Sequence, residues 1–130
     1  TYGVNCIGNL QKYPKEQLLM QIIFQTDPEK KDKLAGIVVD ELKKLAAEGP
    51  SGVHLQKVKE YMLKKYADNQ KENTYWMNNL NDYFYYGGLD MTKDYTDIVN
   101  SITAKDIQKF AVDLLKQGNE IEVTMTVPKK

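Results

Sequence analysis

The apolar residues of this chain are spaced two apart near the N-terminus and three to four apart over most of the remainder. Within residues 17–26 six of the ten positions are apolar, and they divide between two faces: Leu18, Met20, Ile22 and Phe24 on one, Leu19 and Ile23 on the other. A spacing of two indicates a β-strand and a spacing of three to four indicates a helix. The sequence therefore predicts an α+β protein in which strands come first and helices follow.

Three strands are predicted. The first covers residues 2–7 and the second residues 17–26, and because they are close in sequence we expect an antiparallel pair. The second strand is apolar on both faces, which is typical of a central strand covered on both sides. In residues 121–127, apolar side chains alternate with Glu122, Thr124 and Thr126, which predicts a third strand with one face toward the core.

About four helices are predicted between the second and third strands. The first begins at Asp27 and Pro28, a cap followed by a proline in the first helical position. The second covers residues 53–86, has a polar and bent middle near 68–73, and ends at two glycines. A short helix covers residues 92–100. Thr103 and Asp106 form a variant of the capping box at the start of the last helix. The predicted order is ββααααβ, a small and mostly antiparallel sheet packed against the helices.

Composition excludes several classes of function. The 130 residues suffice for one domain, and the 18 Lys balance the 18 Asp and Glu in a chain without Arg. Zero net charge argues against nucleic acid as a partner, since phosphate contacts need excess cationic side chains. No apolar run approaches the roughly 20 residues that cross a bilayer. One histidine, His54, and one thiol, Cys6, are too few for a common protein zinc site.

Few side chains are candidates for chemistry. His54 has no cysteine or acidic cluster near it in sequence, so an ordinary surface histidine is favoured over a ligand or base. Cys6 alternates with Val4 on a strand face, which favours a buried inert thiol over a nucleophile. The polar positions Lys71 and Asn73 favour a bend over a site. The aromatic residues at the end of the long helix form either a peptide-binding surface or core and interface. These are Trp76, Tyr83, Phe84, Tyr85 and Tyr86, of which Tyr85 and Tyr86 are the more exposed candidates.

Several short stretches occur in an order and spacing that are together fairly specific. They are TYGV at 1–4, QIIF and TDPEK at 21–30, ELKKL and EGP at 41–50, LQKVKE at 55–60, KENTYW at 71–76, Leu80 with Tyr83, and ITAKDIQ at 102–108. In these features the chain resembles the C-terminal half of a peptidase domain in the pitrilysin/insulinase family of zinc metallopeptidases.

The resemblance implies paired domains of similar fold that have different roles. The first domain in this family binds zinc through His-x-x-Glu-His and activates water. A later domain lacks zinc and forms the facing wall of a closed chamber, where an Arg and a Tyr seven positions later help hold substrate. Tyr2 matches that Tyr, and the Arg would precede residue 1. We therefore expect residues 1–130 to be the C-terminal part of one such non-catalytic domain, whose first half is missing.

The partners implied are the zinc-bearing remainder of the parent chain and a peptide substrate. A sheet that lacks the first half of its domain leaves an edge and apolar surface uncovered, which favours self-association. The family also includes relatives that have lost zinc and serve as scaffold subunits, and an independent α+β binding module is a third alternative. For bacterial relatives the resemblance suggests the cell envelope or periplasm, and the residues themselves indicate no compartment.

Overall fold

The computed structural model describes residues 3–11, 14–90 and 92–126. The described elements are β1 (Val4–Gln11), β2 (Gln17–Phe24), a 3-10 turn (Pro28–Lys30), α1 (Lys31–Glu48), α2 (Gly52–Asn69), α3 (Asn73–Tyr85), α4 (Tyr95–Ser101) and α5 (Ala104–Lys116). The predicted α+β class is confirmed, as is the antiparallel pairing of the first two strands, whose register runs from Val4 opposite Phe24 to Gln11 opposite Gln17. None of the helices described is long and apolar enough to cross a membrane.

The predicted third strand is not formed by residues 121–126, so the described part of the chain has two strands rather than three. Ile121, Val123 and Met125 are 86%, 78% and 94% exposed. Alternating polarity selects the strand conformation only when a neighbouring strand satisfies the backbone groups. Within the described residues, this segment has no such neighbour.

The predicted long helix over residues 53–86 is two helices, which gives five described helices rather than four. α2 ends at Asn69 and α3 begins at Asn73. Between them the Glu72 amide donates to the Asn69 carbonyl (2.9 Å), closing a turn. The indole Nε1 of Trp76 donates to the Gln70 carbonyl at 2.8 Å. The polar residues predicted to bend a helix instead end one, because these bonds replace its continuing ladder.

The chain divides into two compact units. The hairpin unit comprises Thr1–Lys44 and Gly118–Lys130, and the helical unit comprises Leu45–Gln117.

In the hairpin unit, β2 pairs with β1 alone among the described strands. Leu19 and Ile23 on one face of β2 are exposed, and Leu18 on the other face is exposed as well. The prediction that β2 is central and covered on both sides is therefore wrong for the described residues, which supply neither a second neighbouring strand nor a full cover. Asp27 occupies the N-cap position before Pro28, as predicted, but its side chain makes no cap hydrogen bond and instead accepts from Lys30 Nζ at 2.7 Å.

In the helical unit, Val99 of α4 and Ala111 of α5 are the fully buried apolar residues of the described chain, at 2% and 1% exposure. Gln108 Nε2 of α5 donates to the Ala47 carbonyl at the end of α1 (2.8 Å). Gly49 follows that end with φ +73°, and a Cβ there would lie 3.4 Å from the Ala104 carbonyl oxygen. Glycine therefore suits this position both by conformation and by space.

The predicted capping box at the start of α5 is confirmed. Thr103 Oγ1 accepts from the Asp106 amide at 3.3 Å, and Asp106 Oδ2 accepts from the Thr103 amide at 2.7 Å. The predicted stop after the aromatic helix is also confirmed, since Gly87 and Gly88 adopt positive φ and the Gly88 amide donates to the Tyr83 carbonyl. Both features depend on residues close in sequence, and each fixes one helix end.

Candidate functional site

A cavity of about 460 Å³ lies within the helical unit and is lined mainly by tyrosine and amide side chains. One face of α2 contributes Tyr61, Met62, Lys65, Tyr66 and Asn69, whose spacing of three to four places them together. The other walls come from Tyr75 and Asn79 of α3, from Thr92, and from Tyr95 of α4. We call this the tyrosine cavity.

The aromatic rings of the tyrosine cavity contact one another across three helices. Tyr66 and Tyr95 stack with centroids 4.4 Å apart and planes inclined by 21°. Tyr75 meets Tyr66 edge-on at 6.4 Å and 79°. Both arrangements are favoured pair geometries for aromatic rings. Tyr66 therefore connects α2 to α3 and to α4, which fixes the shape of the cavity.

Polar groups in and beside the tyrosine cavity are held by hydrogen bonds. Asn79 Nδ2 donates to the Tyr75 carbonyl at 2.8 Å. The Asp90 carboxylate accepts from the Thr92 amide (2.8 Å) and from Thr92 Oγ1 (2.7 Å). These bonds, the side-chain bond first, lower the pKa of Asp90 and keep it ionised. The amides and the hydroxyl are thus positioned before any ligand arrives.

The phenol of Tyr75 is kept neutral. Burial, and after it the nearby phenol of Tyr66, raises the pKa of Tyr75, because the phenolate is poorly solvated there. Lys65 is the charged side chain among the described lining residues, and its ammonium lies 5.8 Å from the centroid of the Tyr61 ring. The cavity thus presents neutral phenols and amides beside one positive charge.

The residues predicted as substrate-binding are Tyr2, Tyr85 and Tyr86. Tyr2 falls outside the described residues. Tyr85 is the last residue of α3 and is 67% exposed, whereas Tyr86 caps that helix and is half-buried. Their rings meet edge-on at 5.0 Å and 83°. Neither residue lines the tyrosine cavity.

Sequence reasoning missed the tyrosine cavity because its walls are far apart in the chain. Tyr66 and Tyr95 each fall at helical spacing among apolar residues, a pattern typical of core positions. The one local signal was the spacing of Tyr61, Lys65 and Asn69, which places an aromatic, a cationic and an amide side chain on one helical face. Nothing in that spacing indicates that the tyrosines of α3 and α4 face it.

Cys6 and His54 take no part in the tyrosine cavity. Cys6 is a free thiol on β1 and is exposed, so the prediction of a buried thiol is wrong. The reason is that the described residues leave both faces of the hairpin largely exposed, so strand parity does not imply burial. His54 is exposed in the first turn of α2, where its backbone amide donates to Ser51 Oγ at 3.2 Å, as expected of a surface histidine.

Two further observations concern a second cavity and the side chains that could bind a metal ion. A smaller cavity of about 250 Å³ lies at the open end of the hairpin, between Asn5 of β1 and the end of β2 at Ile23 and Phe24. In residues 3–11, 14–90 and 92–126, no three His, Cys, Asp or Glu side chains form a group that could hold a metal ion.

Comparison with known proteins found no match for this chain among family models, curated proteins or solved structures.

Proposed function

We propose that this chain is the C-terminal, substrate-holding part of a zinc-dependent endopeptidase of the pitrilysin/insulinase type. In this proposal the parent protein hydrolyses peptides with metal-activated water, and the zinc belongs to its N-terminal domain. The chain forms part of the chamber wall that faces the metal and does not itself catalyse. Support comes from the resemblance of residues 21–30, 71–76 and 102–108, which lie in the expected order.

The observation that carries the proposal is the uncovered hairpin. Val4 and Leu10 of β1 are exposed, as are Leu18, Leu19 and Ile23 on the two faces of β2. Burying such side chains is worth roughly 25 cal/mol per Å² of apolar surface, and an isolated two-stranded hairpin is marginally stable in water. The hairpin therefore favours further strands and a covering layer, which in the proposal are supplied by the rest of the parent domain.

Three tyrosines are proposed to contact the peptide. Tyr2 corresponds to the family tyrosine whose hydroxyl helps hold substrate, and this role rests on the resemblance alone. Tyr85 and Tyr86 lie at the end of α3, and Tyr85 presents most of its ring to solvent. Exposed aromatic rings supply a large contact area for a peptide at low entropic cost.

The same uncovered hairpin suits the second candidate, a scaffold subunit from a zinc-less relative. The polypeptide that precedes Thr1 in the natural protein distinguishes the two. An intact His-x-x-Glu-His with a downstream Glu supports the peptidase, and a degraded motif supports the scaffold. A natural protein whose mass equals that of these 130 residues would overturn both and support an independent module.

The role of Tyr2 is tested in the full-length parent with an unfolded peptide as substrate. Tyr2→Phe removes one hydroxyl, and we expect kcat to fall by about a hundredfold if that hydroxyl binds the reacting carbonyl. Tyr13→Phe makes the same chemical change at a tyrosine with no proposed role and should leave kcat unaltered. Unchanged kinetics in Tyr2→Phe would remove Tyr2 from the site.

The non-catalytic role is tested on the 130-residue chain alone. Incubated with the same peptide it should produce no cleavage, and calorimetry with zinc should show no tight site, because one histidine and one cysteine do not make up a zinc donor set. Chelator-sensitive cleavage, or stoichiometric zinc binding at sub-micromolar concentration, would contradict the proposal.

A further inference from the structure

We propose that the tyrosine cavity is a binding site for a neutral aromatic ring that bears a hydrogen-bonding group, such as a phenol. The described lining of the cavity does not include the proposed substrate contacts Tyr85 and Tyr86, and Tyr2 lies outside the described residues. The inference therefore goes beyond the proposed peptidase role and stands whether or not that role is correct.

The volume of the tyrosine cavity fits a small ligand. Ligand pockets commonly measure about 300–1,000 Å³, and the tyrosine cavity, which is open to solvent, falls within that range. At about 460 Å³ the tyrosine cavity has room for one substituted ring, or for one aromatic side chain with part of its backbone.

The arrangement of rings favours an aromatic ligand over an aliphatic one. Tyr66 and Tyr95 are already stacked, and Tyr75 stands edge-on to Tyr66. A further ring that packs against these tyrosines gains aromatic partners, and such pairs contribute beyond simple burial of area. A saturated ring of the same size lacks this contribution.

The polar groups favour a ligand that carries a hydroxyl or amide. Asn79 is held by its bond to the Tyr75 carbonyl. A side-chain amide has two N–H donors and an oxygen acceptor, so Asn79 can bind a ligand hydroxyl while it keeps that bond. Asn69 supplies a second amide from α2.

The charges at the tyrosine cavity favour a neutral ligand over a cation. Lys65 lines the cavity, and its ammonium already lies over the Tyr61 ring. The Asp90 carboxylate accepts two hydrogen bonds from Thr92, so its charge is already compensated in part. A cationic ligand would meet the Lys65 ammonium without a free carboxylate in the described lining to oppose it.

The ligand class is tested by nuclear magnetic resonance on the isotope-labelled 130-residue chain. We expect 4-ethylphenol to produce saturable shifts at the side-chain amides of Asn69 and Asn79, with the amides of β1 unaffected. The saturated analogue 4-ethylcyclohexanol should produce no saturable shifts. Tyramine, which adds an ammonium to the end of the ethyl chain, should bind more weakly than 4-ethylphenol. Equal affinity for the saturated analogue, or shifts spread over the hairpin without saturation, would overturn the proposal.

The location is tested by substitution. Tyr95→Leu removes one ring of the stacked pair and should weaken 4-ethylphenol binding by about tenfold. Tyr61→Leu, at a residue 62% exposed, should weaken it by a smaller factor and provides the test if Tyr95→Leu does not fold. Phe110→Leu changes an aromatic residue outside the described lining and should bind like the parent chain. If Phe110→Leu lost as much affinity for 4-ethylphenol as the tyrosine variants, or if neither tyrosine variant lost affinity, the binding site would lie outside the tyrosine cavity.

Phenols can come from free molecules or from a tyrosine side chain in a peptide, and both share the chemistry proposed. A short blocked peptide with a single Tyr between glycines separates these sources. Binding of 4-ethylphenol and the peptide with equal sensitivity to Tyr95→Leu indicates a site for peptide side chains. Binding of 4-ethylphenol alone indicates a site for free phenols, and binding of neither ligand would overturn the proposal.

Discussion

The hairpin unit and the helical unit bury their apolar residues to very different extents. Val99 and Ala111 of the helical unit are almost completely buried, whereas apolar residues on both faces of the hairpin are exposed. Helices satisfy their own backbone groups, and strands need neighbours to do so. The helical unit can thus form from signals in its own sequence, and the hairpin unit calls for additional structure.

The two units also differ in the bonds that hold them. In the helical unit, Lys59 Nζ donates to the Asn100 carbonyl and Gln108 to the Ala47 carbonyl, each across more than forty residues. Apart from the β1–β2 ladder, the hairpin unit shows local ion pairs such as Lys30 with Asp27 (2.7 Å), in which both side chains are exposed. Exposed pairs of this kind contribute little, so the helical unit should dominate stability.

The largest expected effect comes from Val99→Ala, which removes two methyl groups at a buried position. The unfolding free energy should fall by about 2 kcal/mol, from lost transfer energy and the cavity left behind. Val123→Ala makes the same change at an exposed residue of the hairpin unit and should alter it by less than about 0.5 kcal/mol. Urea denaturation followed by circular dichroism measures both. Equal losses of unfolding free energy in the two variants would contradict the expectation that the helical unit dominates stability.

The next effect concerns the capping box of the helical unit. Thr103→Ala removes the hydroxyl that accepts from the Asp106 amide, and should lower the unfolding free energy by about 1 kcal/mol. Thr124→Ala, at an exposed position of the hairpin unit, is the matched control and should have little effect. Thermal melts of the two variants compare them directly. If Thr124→Ala lowered the melting temperature as much as Thr103→Ala, the loss of stability could not be assigned to the capping box.

Local features of this fold could be predicted from the sequence. Thr103 and Asp106 are three positions apart and bond to each other, so the capping box depends on nothing distant. Gly87 and Gly88 end α3 for a similarly local reason, since both adopt the left-handed backbone conformation that favours glycine. Antiparallel pairing of β1 and β2 followed from their closeness in sequence.

Features that depend on distant partners could not be predicted. The alternation over residues 121–126 satisfied the pattern of a strand, and the missing requirement was a neighbour to pair with. The break between α2 and α3 involves the side chain of Trp76 bonding back to the Gln70 carbonyl, which periodicity does not encode. The tyrosine cavity brings Tyr66 to Tyr95 across two helix connections. In each case the local pattern does not indicate which distant residues are in contact, and those contacts determine the conformation or the role of the segment.

The pH dependence of stability tests the capping box of the helical unit in a second way. Hydrogen bonds from Thr103, the side-chain bond first, lower the pKa of Asp106 in the folded protein. A lowered folded pKa gives stability that is complete above the ordinary aspartate pKa of about 3.9 and is lost as the pH falls through the folded value. Asp106→Asn should therefore lose less stability on acidification than the parent chain.

Denaturation curves of the two proteins at a series of acidic pH values measure this difference. Asp68 and Asp90 also have lowered pKa values, from bonds with Lys71 and Thr92 respectively, and they titrate in both proteins. Their contributions therefore cancel in the comparison. Identical pH profiles would show that the bond to Thr103 does not depend on the charge of Asp106.

The smallest expected change in stability, and the most direct test of the hairpin side, comes from Ile7→Lys on β1. Ile7 is exposed, so the unfolding free energy should change by no more than about 0.5 kcal/mol. A lysine on an open strand disfavours pairing between sheet edges, so any self-association through the hairpin should weaken in sedimentation equilibrium. Val58→Lys places the same charge on an exposed position of α2 and should leave association unchanged. Equal weakening by both substitutions would mean that the added charge, and not its position on the hairpin, reduces self-association.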